Sequence, residues 1–105
     1  MMHHFSHNGV GLAYIDVPPH EGQGPAVLLI HGFASNHSVN WVGTQWVRSL
    51  THAGYRVVAL DNRGHGKSDK LYDPVDYSTF TMAEDARALL DHLGIERAGV
   101  VGYSM

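Results

Sequence analysis

Three short stretches carry side chains suited to acyl chemistry, and each directly follows an apolar run. Ser104 stands just after Ala98 to Val101, with Gly102 two positions before it. That pattern fits the first half of the G-x-S-x-G elbow, a sharp strand-to-helix turn that pushes a serine hydroxyl into the open as a nucleophile. An ordinary turn serine fits the same residues, so the other two loops must decide. His31-Gly32-Phe33 follows the run Ala26 to Ile30. Gly32 lets the backbone bend so that the Phe33 N–H can face a substrate. With the Met105 N–H it would form an oxyanion hole, in which each donor supplies about 3–4 kcal/mol to acyl transfer. The His31 side chain is read as a structural histidine bonded to loop backbone.

The third stretch, Asp61-Asn62-Arg63-Gly64-His65-Gly66-Lys67-Ser68, follows Arg56 to Leu60. Gly66-Lys67-Ser68 matches the end of a phosphate loop, G-x-x-x-x-G-K-[ST], but the first glycine of that pattern falls on Asp61. No helix begins after Ser68, where Asp69 to Asp76 holds a proline and further aspartates. A phosphate cradle needs backbone donors at that glycine and a helix N-terminus behind it, so nucleotide binding is set aside.

The elements that must position these loops can be read from hydrophobic period. Phe5-Ser6-His7 and Val10 to Val17 read as two antiparallel strands joined at Asn8-Gly9, and Pro18-Pro19 ends the second. Ala26 to Ile30, Arg56 to Leu60 and Ala98 to Val101 read as strands buried on both faces of a parallel sheet. Between them, His31 to Asn40 is a loop. Trp46, Val47, Leu50 and Ala53 then mark one face of a helix stopped by Gly54. A polar, glycine-rich stretch runs from Asp61 to about Ser78. Thr81-Met82-Ala83-Glu84 has the capping-box pattern and predicts a second helix from Thr81. Its apolar stripe is Met82, Ala86, Leu89, Leu90 and Leu93, and Gly94 stops it. Strands alternating with amphipathic helices predict βαβ units. In such open sheets, ligands bind beyond the carboxyl ends of the strands, where all three loops fall.

Composition excludes several other classes. The chain has 105 residues, 44% of them apolar, and a formal net charge of −3. It has no basic run for nucleic acid and no cationic amphipathic stretch for a membrane surface. Cysteine is absent, so neither disulfides nor thiolate metal sites arise. Met1-Met2-His3-His4-Phe5 lacks signal-peptide order, and Ala26 to Ile30 is far too short to span a bilayer. A soluble, cytoplasmic protein is expected. His3, His4 and His7 read as a solvated end rather than a metal site, because no carboxylate joins them at ligand spacing. Asn36-His37-Ser38 reads as an accidental glycosylation pattern.

His31-Gly32-Phe33, Asp61 to Ser68 and Gly102-Tyr103-Ser104-Met105 together resemble the ordered landmarks of the α/β-hydrolase superfamily, over nearly the whole chain from about Phe5. The resemblance implies an α/β fold, specifically the N-terminal part of an α/β-hydrolase. This part would be an antiparallel hairpin plus three parallel strands with crossover helices, five strands out of about eight. It implies Ser104 as the nucleophile and the backbones of Phe33 and Met105 as oxyanion donors. His31, Gly32, Asp61, Arg63, Gly64, Gly66 and Gly102 would be architectural. It implies no cofactor, no metal and a small ester-like substrate.

In that family the chain order is serine, then acid, then histidine. All nine histidines here precede Ser104, so residues 1–105 are expected to be an N-terminal fragment of a single domain, ending at the elbow. The missing C-terminal half would then be its partner. Without a base, a serine hydroxyl is a poor nucleophile at neutral pH, so the isolated chain is expected to be inactive. It is also expected to aggregate along the unpaired Ala98 to Val101 edge. The parent reads as a serine hydrolase acting through an acyl-enzyme; the subclass stays open among carboxylesterases, lactonases, carbon–carbon bond hydrolases and haloperoxidase-like members. Members that use aspartate at the elbow, such as epoxide hydrolases and haloalkane dehalogenases, fit Ser104 less well. The alternatives are a non-catalytic ligand- or protein-binding module of the same fold, and a product with no function of its own.

Overall fold

The computed structural model describes residues 2–32 and 35–103. The chain opens on a hairpin in which β1 (His3–His7) pairs antiparallel with β2 (Val10–Val17). Asn8 and Gly9 join them with φ of 51° and 81°, the two positive values a type I′ turn requires. Then β3 (Ala26–Ile30) pairs parallel with β4 (Arg56–Leu60) and with β5 (Ala98–Gly102), while β2 pairs antiparallel with β4. The result is an open mixed sheet of order β1-β2-β4-β3-β5. It is the hairpin plus three parallel strands expected from the sequence.

Alternation along the strands builds a core on each side of the sheet. Leu12, Tyr14, Leu28, Val58 and Leu60 point to one face, where Ala86 and Leu89 of α2 (Thr79–His92) cover them. Ile15, Val27, Leu29, Val57 and Ala59 point to the other face, covered by Trp41 and by Val47 and Leu50 of α1 (Trp46–His52). Leu28, Leu60 and Leu89 are essentially fully buried, each worth about 1.5–3 kcal/mol over an exposed leucine.

Several expectations need correction. The second helix begins at Thr79, because the Ser78 hydroxyl, on extended backbone, accepts the Thr81 N–H at 3.1 Å and is the true cap. The His31 to Asn40 loop gives way to a single π-helical turn, Ser38–Val42, before Gln45 turns left-handed at φ 70° and α1 starts. A short 3₁₀ turn, Pro74–Tyr77, lies within the polar stretch. Trp46 heads α1 but is 44% exposed, and Ala53, also expected on the apolar face, is exposed just past the helix end. Half-buried Val47 and Leu50, with buried Thr51, therefore carry that helix's burial. His3 and His4 are exposed as a solvated end would be. His7 instead packs its Nδ1 2.8 Å from Asp85 Oδ1 on α2. Burial on both faces holds for β3 and β4, whereas Val100 in β5 is 60% exposed. The reason is placement: α1 packs against β4 and α2 against β1, and among the described residues β5 pairs only with β3. No helix among these residues is long and apolar enough to cross a membrane.

Candidate active site

Sheet register brings the three loops together. Ile30 pairs with Leu60 on one side and Gly102 on the other, so the carboxyl ends of β3, β4 and β5 form one row. The residues that leave this row are His31, Asp61 and Tyr103. The Tyr103 N–H donates to the Ile30 carbonyl at 3.1 Å and keeps the segment after β5 against the start of the first loop. Phe33, Ser104 and Met105, expected as oxyanion donor, nucleophile and oxyanion donor, lie outside the described residues.

His31 is fully buried and bridges two loops. Its Nε2 is 2.9 Å from the Asn62 N–H, which can only donate, so Nε2 is the acceptor. The proton therefore sits on Nδ1, which donates to the Gly32 carbonyl at 2.7 Å. Burial dominates its titration and lowers its pKa below the usual histidine value, against the opposing pull of the Gly32 carbonyl. The neutral ring is the form that makes both bonds. The Gly32 N–H donates to Asn40 Oδ1 at 2.6 Å, and its carbonyl also accepts from the Ser35 N–H at 3.2 Å.

The middle loop is braced from several directions. Burial raises the Asp61 carboxyl's pKa. The His37 ring and the backbone N–H groups of His37 and Lys67 outweigh that, so the net pKa lies below the usual carboxylate value. His37 donates to Oδ1 from its backbone at 2.9 Å and from Nδ1 at 2.7 Å, and the Lys67 N–H reaches Oδ2 at 3.0 Å. Gly66 is held at φ +53°, and a Cβ there would stand 2.3 Å from Asp61 Oδ2, so the carboxylate needs a glycine beside it. A Cβ on Gly64 would meet the Tyr77 ring at 2.5 Å. Ser68 Oγ donates to the Asp61 carbonyl at 2.6 Å and accepts the Ala13 N–H at 2.8 Å, stitching the loop to β2. Arg63 grips Asp85 in a fork, Nε to Oδ2 at 2.6 Å and Nη2 to Oδ1 at 2.8 Å, and its Nη1 donates to the Asp76 carbonyl at 3.0 Å. That carboxylate holds the guanidinium charged more firmly than usual. Gly102 is the exposed last residue of β5.

Four side chains that brace these loops were not given that role in the sequence: Asn40, His37, Tyr77 and Asp85. Asp85 had a legible signal, because a carboxylate three residues after Met82 and four before Leu89 falls on the buried stripe of its helix and demands a partner. His37 and Asn40 had none, since His37 acts only once the first loop folds against the second and Asn40 only once that loop turns back on its own start. Among the described residues, no group of three or more histidine, aspartate or glutamate side chains is arranged to hold a metal ion.

Comparison with known proteins places this arrangement. Residues 25–105 match the family model described as the alpha/beta hydrolase fold. The chain belongs to the α/β-hydrolase family. As a member of it, the chain is 41% identical over 91 residues to epoxide hydrolase B of Mycobacterium tuberculosis, covering 87% of this chain and 24% of that one. It is 37% identical over 101 residues to a non-heme chloroperoxidase of Kitasatospora aureofaciens, covering 93% and 32% respectively. The crystal structure of a probable hydrolytic enzyme from Pseudomonas aeruginosa superposes with a TM-score of 0.84 at 37% identity, over 100% of this chain and 33% of that one. The chain thus spans about a quarter to a third of the length of these α/β-hydrolases.

Proposed function

We propose that the polypeptide carrying this chain is a cofactor-free serine hydrolase that cleaves an ester or related carbonyl compound through an acyl-enzyme. The observation that carries the reading is the register row Ile30, Leu60 and Gly102, with the Tyr103 N–H bonded to the Ile30 carbonyl. In sequence, Ser104 follows that bond by one residue, and Phe33 follows Ile30 by three. The two clamps on the Gly32 carbonyl support a role for the Phe33 N–H. In a planar trans peptide the N–H lies opposite the carbonyl, so a fixed Gly32 carbonyl is what a donor at the next position would need. Ser104 would attack the substrate carbonyl, the oxyanion would rest on the Phe33 and Met105 N–H groups, and water would release the acyl group. On the family's chain order, the general base and its orienting acid come from residues after Ser104, so residues 1–105 supply one part of the site.

Epoxide hydrolases among the relatives raise the question of epoxide opening. Chemistry favours the acyl reading. A carboxylate opening an epoxide leaves an ester that water can cleave, but a serine would leave an alkyl ether that water cannot. Ser104 is therefore suited to carbonyl attack. The test is labelling of the full-length polypeptide by a fluorophosphonate together with turnover of p-nitrophenyl esters, in wild type and Ser104→Ala. Both signals should be present in the first and lost in the second. Absence of labelling and turnover in a folded wild type would refute the reading and leave a non-catalytic binding module.

A further inference from the structure

We propose that Asn40 is the positioning residue of the oxyanion loop, fixing the backbone at Gly32 so that the next N–H is aimed before substrate arrives. The inference rests on the serine-hydrolase reading above. Glycine has the widest conformational freedom of any residue, so a donor placed right after it is badly aimed unless the glycine is held from outside. Gly32 is held on both of its peptide planes. Its N–H, on the His31–Gly32 plane, goes to Asn40 Oδ1 at 2.6 Å, which constrains φ. Its carbonyl, on the Gly32–Phe33 plane, accepts from His31 Nδ1 at 2.7 Å and from the Ser35 N–H, which constrains ψ. The Asn40 orientation is forced, because the Gly32 N–H can only donate and the group facing it must be the carboxamide oxygen.

Asn40 is itself braced where it stands. Its N–H donates to the Asn36 carbonyl at 3.1 Å, and its carbonyl accepts from the Thr44 hydroxyl. It also lines, with Trp41, Gly102 and Tyr103, a cleft of about 390 Å³ beside the segment that runs into Ser104. Asn40 therefore touches the first loop at Gly32 and lines the same cleft as Gly102 and Tyr103. An acceptor that holds N–H groups in place in this way contributes preorganisation rather than contact.

The test compares wild type, Asn40→Ala, Asn40→Leu and Asn40→Asp in the full-length polypeptide, with p-nitrophenyl esters, a fluorophosphonate and a boronic acid that mimics the tetrahedral intermediate. Asn40→Ala should lose about 30-fold or more in kcat and in labelling rate, the scale expected when a site is misplaced by about an ångström. KM should stay within about threefold, and boronate affinity should fall in step with kcat. Asn40→Leu, close in volume, carries the same expectation if Asn40→Ala does not fold. Asn40→Asp keeps an oxygen acceptor and should recover turnover to within about fivefold of wild type. Wild-type-like turnover in the Ala or Leu variant overturns the inference, as does equal damage in the Asp variant. An inert wild type refutes the hydrolase reading, and the inference falls with it; an active wild type with an active Asn40→Ala refutes the inference alone.

Discussion

Removing the Asp85 carboxylate should be among the most damaging single changes to this fold. Arg63 is 4% exposed and its guanidinium points into the molecule, where Asp85 takes two of its donors. In Asp85→Ala, among the described residues, only the bond from the guanidinium Nη1 to the Asp76 carbonyl survives. Each charge-assisted bond is worth about 1.5–3 kcal/mol, and a buried charge left without its partner typically costs about 3–5 kcal/mol. With a urea m-value near 2 kcal/mol/M, the midpoint should fall by about 2 M, a large share of a stability that is about 5–15 kcal/mol in most domains. The double variant Arg63→Met/Asp85→Leu removes both charges and should recover to within about 2 kcal/mol of wild type. It still loses the His7 contact at 2.8 Å and the Asp76 contact. The assay is urea unfolding of the full-length polypeptide, arranged as a double-mutant cycle. A cost below about 1 kcal/mol for Asp85→Ala, or a double variant as unstable as the sum of the singles, would refute the argument that this pair is buried and mutually dependent.

Two further outcomes are expected. Folded His31 binds a proton less readily than the unfolded chain, so its contribution is complete above about pH 6.5 and is lost as pH falls through its lowered folded value. Asp61 behaves the same way lower down, losing its contribution only as pH drops below 3.8. His31→Phe should cost about 1–3 kcal/mol through the Asn62 N–H it leaves unpaired. It should also flatten the stability profile just below pH 6.5 while leaving the more acidic limb; an unchanged slope in chemical denaturation across pH would refute this. The 105-residue chain made alone should self-associate along β5, and Val100→Lys should reduce its light scattering several-fold, since a charge blunts an exposed edge. A sharp, reversible, monomeric melt of the unaltered chain would argue against it.

The sheet was legible because its signals are local and mutually consistent. Ala26–Ile30 is a short unbroken apolar run, Arg56–Leu60 is one after its first residue, and Asn8-Gly9 specifies its hairpin almost alone. The helix boundary after Ser78 was misread because two hydroxyls three residues apart compete for one cap. Backbone conformation at Ser78, rather than residue type, decides between them. The motifs His31-Gly32 and Asp61 to Ser68 stand out in the sequence, but not the contacts that hold them. Arg63 finds Asp85 across 22 positions and Asp61 finds His37 across 24. Such pairs leave no periodic trace, apart from the one carboxylate on an apolar stripe.

Strand order has a consequence for how the polypeptide is made. β3 is synthesised before both of its neighbours, since β4 and β5 come later in the chain and β2 pairs with β4 instead. At roughly 5–20 residues per second, the 25 residues between Ile30 and Arg56 take about one to five seconds to appear. During that interval Val27, Leu28 and Leu29 have no strand to join on the ribosome. The segment that ends in the His31-Gly32 turn is thus the one most in need of a holding chaperone as the chain emerges, and slowing translation through residues 31–55 should lengthen its exposure.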